Sequence, residues 1–468
     1  MQIVTKASAS REVLARTARR VGQLGIDAAS GLYSGAQRLT PAEADGVHPG
    51  MQALWSTRLA QASNRARLLA WAAHRHDVDS VGSGIPARAF SPDARHKLLL
   101  ITVDDPICSS QVFPFFYYQP ELAQQFGIEL REVPLKHFET AARLTGLEHA
   151  DTVCFQTWFD RTPEQLHALV AKIRKHNPTA RVVYLDWFAP TDLRLAEPLH
   201  GQVDLYVKKH VFRDRAQYAC TTYGDTNLMD FYGKLYELPH QNQHFSVPGD
   251  FYARLLVGPS FATADYMLPK FLYGSAPSPS AARPIDLHAR ISYKGTPWYE
   301  RMRREAITSL DRLSDLKVIT GTGIKRRAYL RELSASKLCF SPFGYGEVCW
   351  RDYEAAMCGS LLLKPDMSHV ETEPDIFRAG ETYVPLRWDF ADLEEKTRYY
   401  LAHPEERARI TQNAFLALQK YFREQGFIEH MRRLLDRLPP NRLGLDRLSG
   451  VQLRVGPQVS PQPKSASA

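Results

Sequence analysis

The sequence is poor in the features that would give it a simple identity. It has six cysteines, Cys108, Cys154, Cys220, Cys339, Cys349 and Cys358, and no two of them form a CxxC pair. Several lie in apolar runs, which reads as buried, reduced thiols and an expected cytoplasmic setting. No apolar run approaches the ~18 residues of a spanning helix. The N-terminal residues lack the continuous apolar core and cleavage site of a secretory signal. Charge of one sign is also scarce. The balance is 59 Lys+Arg against 51 Asp+Glu, a net of +8 over 468 residues. That is mild for the length, so no nucleic-acid partner is expected. It suits a protein that handles anionic small molecules or makes peripheral contact with an anionic membrane face. The histidines show no HExxH or paired ligand spacing, and no metal is expected. Gly321-Thr-Gly323 lacks the further glycine of a GxGxxG loop and is no Walker loop.

What is present is enough chain for two to four domains at roughly 100–200 residues each. Residues 1–95 read as a helical extension. Arg11, Arg16, Arg19 and Arg20 interleave there with Val13, Leu14, Val21 and Leu24, giving a basic amphipathic helix. From residue 96 to 272, short apolar runs at 97–105, 128–133, 151–156, 181–186 and 203–207 read as buried parallel strands. Thr162, Pro163 and Gln165 form a capping box ahead of a helix between them. Residues 273–284, rich in Pro, Ser and Ala, read as a flexible hinge. The strand–helix alternation restarts over 285–438, where Asp392 and Glu395 suggest a second capping box. Residues 439–468 read as a disordered tail. The expected fold class is α/β, with two facing Rossmann-like domains and an N-terminal helical extension.

Ligands of open α/β sheets bind beyond the carboxyl ends of the strands, so residues at those ends are the candidates. The densest group is Ser341-Pro-Phe-Gly-Tyr-Gly-Glu-Val-Cys-Trp-Arg-Asp-Tyr-Glu-Ala-Ala-Met-Cys-Gly359, a strand, a turn and a helix. Gly344 and Gly346, with Tyr345 between them, would let backbone N–H groups approach a phosphate at the helix start. Glu347 and Glu354 would share a helix face and could hold a sugar diol by charge-assisted hydrogen bonds. The simpler reading is that Glu347 caps the helix and Glu354 pairs with Arg351.

This segment, with the apolar strand and Lys364 after it, resembles the nucleotide-sugar domain of GT-B glycosyltransferases, in particular the exostosin-like and family-one-like groups. The resemblance covers about residues 285–420. It implies that Glu354 holds the ribose and that Glu347 contacts the donor sugar, although the spacing here is seven rather than eight. It also implies that Arg290 and Lys294 bind the donor diphosphate, with Arg351 and Lys364 nearby. Fixed cations there would stabilise the charge gathering on a departing nucleoside diphosphate. Lys325, Arg326 and Arg327 read as a solvated helix start or a phosphate-side contact. His369 reads as a surface residue, and Lys208, Lys209 and His210 as a solvated cluster.

On the acceptor side, strand-end acids could act as a general base. Asp186, beside Trp187, is the first candidate and Asp105 the second, with Asp104, Asp160 and Asp192 in similar places; each could equally cap a helix. The expected activity is transfer of a hexose from a nucleoside-diphosphate sugar to a saccharide or lipid-linked glycan, without metal or other cofactor, in surface polysaccharide synthesis. Three alternatives share parts of this pattern: a nucleotide-sugar epimerase, a catalytically silent sugar-nucleotide scaffold, and a GT-A-type transferase anchored by Asp77-Val-Asp79. The last is set aside because a polar helical stretch, not an apolar strand, precedes that DxD.

Overall fold

The computed structural model describes residues 20, 24–28, 31, 49–81, 89–141, 144 and 146–439, with backbone alone at 49–57 and 76–81. Most of the basic segment 11–24 and the tail from 440 lie outside the described residues. So do the side chains of Asp77 and Asp79, whose backbone is helical.

Two parallel sheets organise the chain. The first contains β1 (His96–Thr102), β2 (Ile128–Pro134), β3 (Thr152–Phe155), β4 (Arg181–Asp186) and β5 (Leu205–Lys208). After β6 (His210–Phe212) and the small hairpin of β7 (Thr222–Tyr223) and β8 (Asn242–Gln243), β9 (Leu255–Val257) closes its edge. The order is β2-β1-β3-β4-β5-β9. Leu98, Leu99, Leu100 and Ile101 are wholly buried, as a central parallel strand covered on both faces requires. The second sheet holds β10 (Ile285–His288), β11 (Val318–Ile319), β12 (Ser336–Phe340), β13 (Leu361–Pro365) and β15 (Val384–Leu386), ordered β11-β10-β12-β13-β15. Strand order reverses at β1 in one sheet and at β10 in the other. The carboxyl ends of these two strands face each other, which is the two-domain Rossmann-like arrangement expected.

Local signals explain most of the element ends. Thr162 accepts from the Gln165 N–H at 3.3 Å, and the Gln165 side chain accepts from the Thr162 N–H at 3.0 Å, so that capping box forms. Gly359 ends the helix Trp350–Cys358 at φ 73°, a conformation that favours glycine. The second expected box does not form. Asp392 instead accepts from the Arg387 N–H and pairs with Lys396 at 2.9 Å, because its backbone is not in the extended conformation of a cap.

The segment expected to be a flexible hinge is held down. Arg283 donates to the carbonyls of Ser334, Ser336 and Cys358 at 2.9–3.1 Å. It thereby satisfies the ends of two helices, where unpaired carbonyls gather. The halves are joined elsewhere as well. β14 (Val370–Thr372) of the second domain pairs antiparallel with β6 of the first. Arg213–Asp375 and Arg215–Glu371 ion pairs flank this two-stranded sheet. The last helix, Gly426–Arg437, crosses back so that Phe427 packs on Phe115 and Tyr118 of the first domain.

The helix Pro49–Val81 docks on the first domain through Trp71, which packs edge-on against Phe113. Arg67 forms a two-pronged pair with Glu121, both bonds 2.8 Å, and both residues are buried. Removing one member leaves an uncompensated buried charge. Arg67→Ala is expected to cost about 3–5 kcal/mol in chemical denaturation. A loss under about 1 kcal/mol, the range of an exposed pair, would mean that the helix does not dock through Arg67.

Candidate functional site

A cleft of ≈ 760 Å³ opens where the two sheets face each other. On the second-domain side it is walled by Arg290 and Ser292 after β10, and by the loop Gly321–Ile324 after β11. Three helices add Arg303, Arg326 with Tyr329, and Arg351 with Glu354. The first domain contributes Pro106, Ser109 and Ser110 after β1, and Asp265 and Tyr266 from the loop after β9. Trp71 and Arg75 of the docked helix complete the wall. Gly321 and Gly323 stand at φ 88° and 83°, so the loop they shape needs glycine although it matches no nucleotide motif.

The cleft is rich in arginine, and the arginines differ in kind. Arg290 is neutralised by a two-pronged pair with Glu332, at 2.6 and 2.9 Å, and also donates to the Thr320 carbonyl. Arg303 and Arg351 have no carboxylate partner at ion-pair distance among the described residues, and the Nε of each is buried without a hydrogen-bond acceptor. Arg351 donates to the Arg290 carbonyl, and Arg303 lies over the Tyr299 ring at 4.9 Å. Burial lowers the Arg303 pKa from its ordinary value, and the like charge of Arg351 adds to the effect. A buried guanidinium beside a second, half-buried one is disfavoured, and an anion between them would offset that cost.

Glu354 sits beside them, also buried. Burial raises its pKa, opposed by the Tyr266 hydrogen bond and the charges of Arg351 and Arg326. The Tyr266 hydroxyl donates to it at 2.7 Å, where a ligand hydroxyl could take its place. The Tyr266 ring lies under Arg326 at 4.5 Å and near Trp350 at 6.1 Å. The structure therefore brings Arg290, Arg351 and Glu354 together in one cleft. It adds Arg303, Arg326, Tyr266 and Tyr329, of which Arg326 alone carried a phosphate-side reading in the sequence. Arg303 and Tyr266 lie in no motif, and the only sequence signal for Arg303 is a cation on the otherwise buried face of its helix.

Other expected site residues lie elsewhere. Lys294 is exposed and outside the cleft wall. Lys364 is wholly buried, paired with Asp352 at 3.0 Å and seated over Phe343, so it cannot reach a ligand. Gly346 faces the first domain, whereas Gly344 lies beside the Arg303 guanidinium. Gly344 donates to the Gly346 carbonyl, and a side chain at Gly346 would run into the Ala189 carbonyl at 1.7 Å. Tyr345 stacks on Tyr299 at 4.4 Å, and its hydroxyl accepts from the Thr296 N–H. Asp186 cannot serve as a general base. It is buried and already accepts from the Phe188 N–H, the Tyr206 hydroxyl and Lys208 at 2.5–2.8 Å. Asp105 caps the helix Pro106–Tyr117 through the Ile107 N–H. Asp192 is held by Arg194, and Asp160 is exposed.

Glu347 is buried at the seam between the domains, not in the cleft. His210 lies 3.2 Å from it and His369 3.8 Å. The cluster Lys208-Lys209-His210 is thus buried rather than solvated, and His369 is mostly covered. Lys208 pairs with Asp186. Burial, and then the charge of Lys208, push the Lys209 amine down to about 7, and it sits over Phe261 at 4.7 Å. Burial likewise pushes His210 down to about 4, against the pull of Glu347.

A pair of parallel-sheet domains facing across an arginine-rich cleft defines a two-domain α/β protein. Residues 281–436, the second domain with its closing helices, match a family model described as glycosyl transferase-like. No curated protein matches the chain. Among solved structures, an alpha-glucosyltransferase in complex with UDP-glucose and DNA containing an abasic site superposes with a TM-score of 0.40 and 10% identity. That match covers 72% of this chain and 99% of that one. Sucrose-phosphate synthase from Thermosynechococcus elongatus gives 0.40 and 13%, covering 73% and 98%. HepE from Anabaena in complex with UDP-glucose gives 0.37 and 11%, covering 73% and 100%.

The seam histidine sets an acid limit. The unfolded chain takes up a proton at His210 below about 6.5, the folded chain only below about 4. Stability is therefore expected to fall as pH drops through that window. His210→Gln keeps a donor for Glu347 and is expected to flatten the fall, measured as denaturant midpoint against pH. An unchanged slope would mean that His210 does not carry it.

Proposed function

We propose that the protein is a glycosyltransferase that holds a nucleoside-diphosphate sugar in the arginine cleft and passes the sugar to a hydroxyl of a saccharide or lipid-linked glycan. The observation that carries this reading is the pair of Arg303, buried, and Arg351, half-buried, neither with a carboxylate partner among the described residues, with Glu354 one helical turn beyond Arg351. A diphosphate supplies the missing anion, and a ribose diol can replace the Tyr266 hydroxyl on Glu354. The match of residues 281–436 to a glycosyl transferase-like model supports the same reading.

In this reading the cations act on the leaving group. When the bond from the anomeric carbon to the diphosphate oxygen lengthens, negative charge gathers on the phosphate. Guanidiniums already fixed in a dry wall stabilise that charge without reorganising. Arg290, tied to Glu332, orients the Arg351 guanidinium through its carbonyl rather than supplying a free charge. The reading needs no metal and expects a cytoplasmic setting. The hexosyl nature of the donor and a place in surface polysaccharide synthesis belong to the proposal as well.

Calorimetric titration with UDP, GDP and ADP tests it. One of the three is expected to bind, and Arg351→Met and Glu354→Ala should each weaken it at least about tenfold, or 1.4 kcal/mol. Lys294→Ala should leave affinity within about twofold, since the side chain lies outside the cleft. Failure of all three nucleotides to bind the wild type would sink the proposal.

A further inference from the structure

The loop after β3 carries two neighbouring aromatic side chains in the open, Trp158 at 39% and Phe159 at 64% exposure. They are braced rather than loose. Trp158 meets the buried Trp187 edge to face at 5.8 Å and 79°, and Phe159 meets the buried Phe188 at 6.2 Å and 85°. The Trp187 indole donates to the Thr157 carbonyl at 2.7 Å and fixes the lower layer. Two exposed rings standing on two buried ones lose little entropy on binding a partner.

Their place in the sheet ties them to the cleft. β3 lies between β1 and β4. The segment after β1 lines the cleft with Pro106 and Ser109, and the segment after β4 presses Ala189 against Gly346 of the second domain. The loop bearing Trp158 and Phe159 thus sits at the same carboxyl edge, between two segments that both face the second domain. Beside it the Asp160 carboxylate is exposed. At the neighbouring strand end the Asp104 carboxylate is paired with Arg75 at 3.0 Å. The nearby cation Arg161 is tied to Glu139 at 2.9 Å.

Resting on the glycosyltransferase reading, we propose that Trp158 and Phe159 form the acceptor subsite and that its ligand is a neutral saccharide. A pyranose ring has an apolar C–H face, which suits the electron-rich face of an aromatic ring. Its rim of hydroxyls can donate to carboxylates such as Asp160. The Asp160 carboxylate beside the rings disfavours anionic sugars and anionic bilayers.

The test is calorimetric titration of cellotriose, maltotriose and triacetylchitotriose into wild type, Trp158→Ala, Phe159→Ala and Trp158→Phe, with UDP, GDP and ADP titrated in parallel. At least one trisaccharide should bind the wild type and bind each alanine variant at least about tenfold more weakly. Trp158→Phe, which keeps a ring, should recover most of the affinity, and nucleotide binding should be the same in all four proteins. Absence of trisaccharide binding to the wild type, or equal binding by the alanine variants, overturns the subsite. So does a result in which anionic phospholipid vesicles bind the wild type and release Trp158→Ala. Trisaccharide binding without nucleotide binding would leave the subsite standing and remove the donor reading.

Discussion

The main-chain pairing of His210–Phe212 with Val370–Thr372 is the constraint on which the molecule depends. It turns two separate sheets into one frame, because hydrogen bonds between backbones fix both distance and register. Beneath it, Glu347 is buried against His210 and His369, an acid whose partners come from both domains. A buried carboxylate without them would carry a heavy desolvation cost. The seam therefore holds only when the halves stand in this relation. The cleft beside it inherits its width from that relation, and so does the distance between Arg351 and the first-domain wall.

Within the cleft, charge is not spread evenly. Arg290 has a carboxylate of its own, and Lys364 and Lys208 are paired inside the protein. Arg303 and Arg351 are held by carbonyls and an aromatic ring rather than by acids. Pairing some cations internally while leaving Arg303, Arg326 and Arg351 without an acid at ion-pair distance among the described residues gathers the positive field in the cleft. Glu354 next to that region gives it direction: anion on one side, hydroxyl donor on the other. An anionic ligand with an adjacent diol meets both requirements at once, and one lacking either leaves a buried polar group unsatisfied.

The fold was largely legible in the sequence. Apolar runs such as Leu98–Ile101 can only be parallel strands covered on both faces, and Thr162 with Gln165, or Gly359, mark element ends by local chemistry. Glu354, Arg290 and Arg351 were legible as a group because they sit at strand ends and a helix start within one domain. Several of the misread residues have partners supplied by other elements of the chain. Glu347 meets His210, 137 positions earlier, and Gly346 serves a contact with Ala189. Asp186 looked like a free strand-end acid until Tyr206 and Lys208 closed around it. Lys364 looked like a loop cation, but Asp352 and Phe343 enclose it. Arg303 and Tyr266 carried no pattern, since a single arginine in a helix or a tyrosine in a loop has many ordinary explanations.

The return of the helix Gly426–Arg437 to the first domain bears on how the chain is made. Phe115 and Tyr118, which receive Phe427, belong to a domain whose own strands are complete by Val257. During synthesis that apolar surface must wait through the whole second domain before its cover emerges. At roughly 5–20 residues per second the exposure lasts on the order of ten seconds. A nascent chain of this kind offers chaperones a defined window and a defined patch, and truncation ahead of residue 426 would make that exposure permanent.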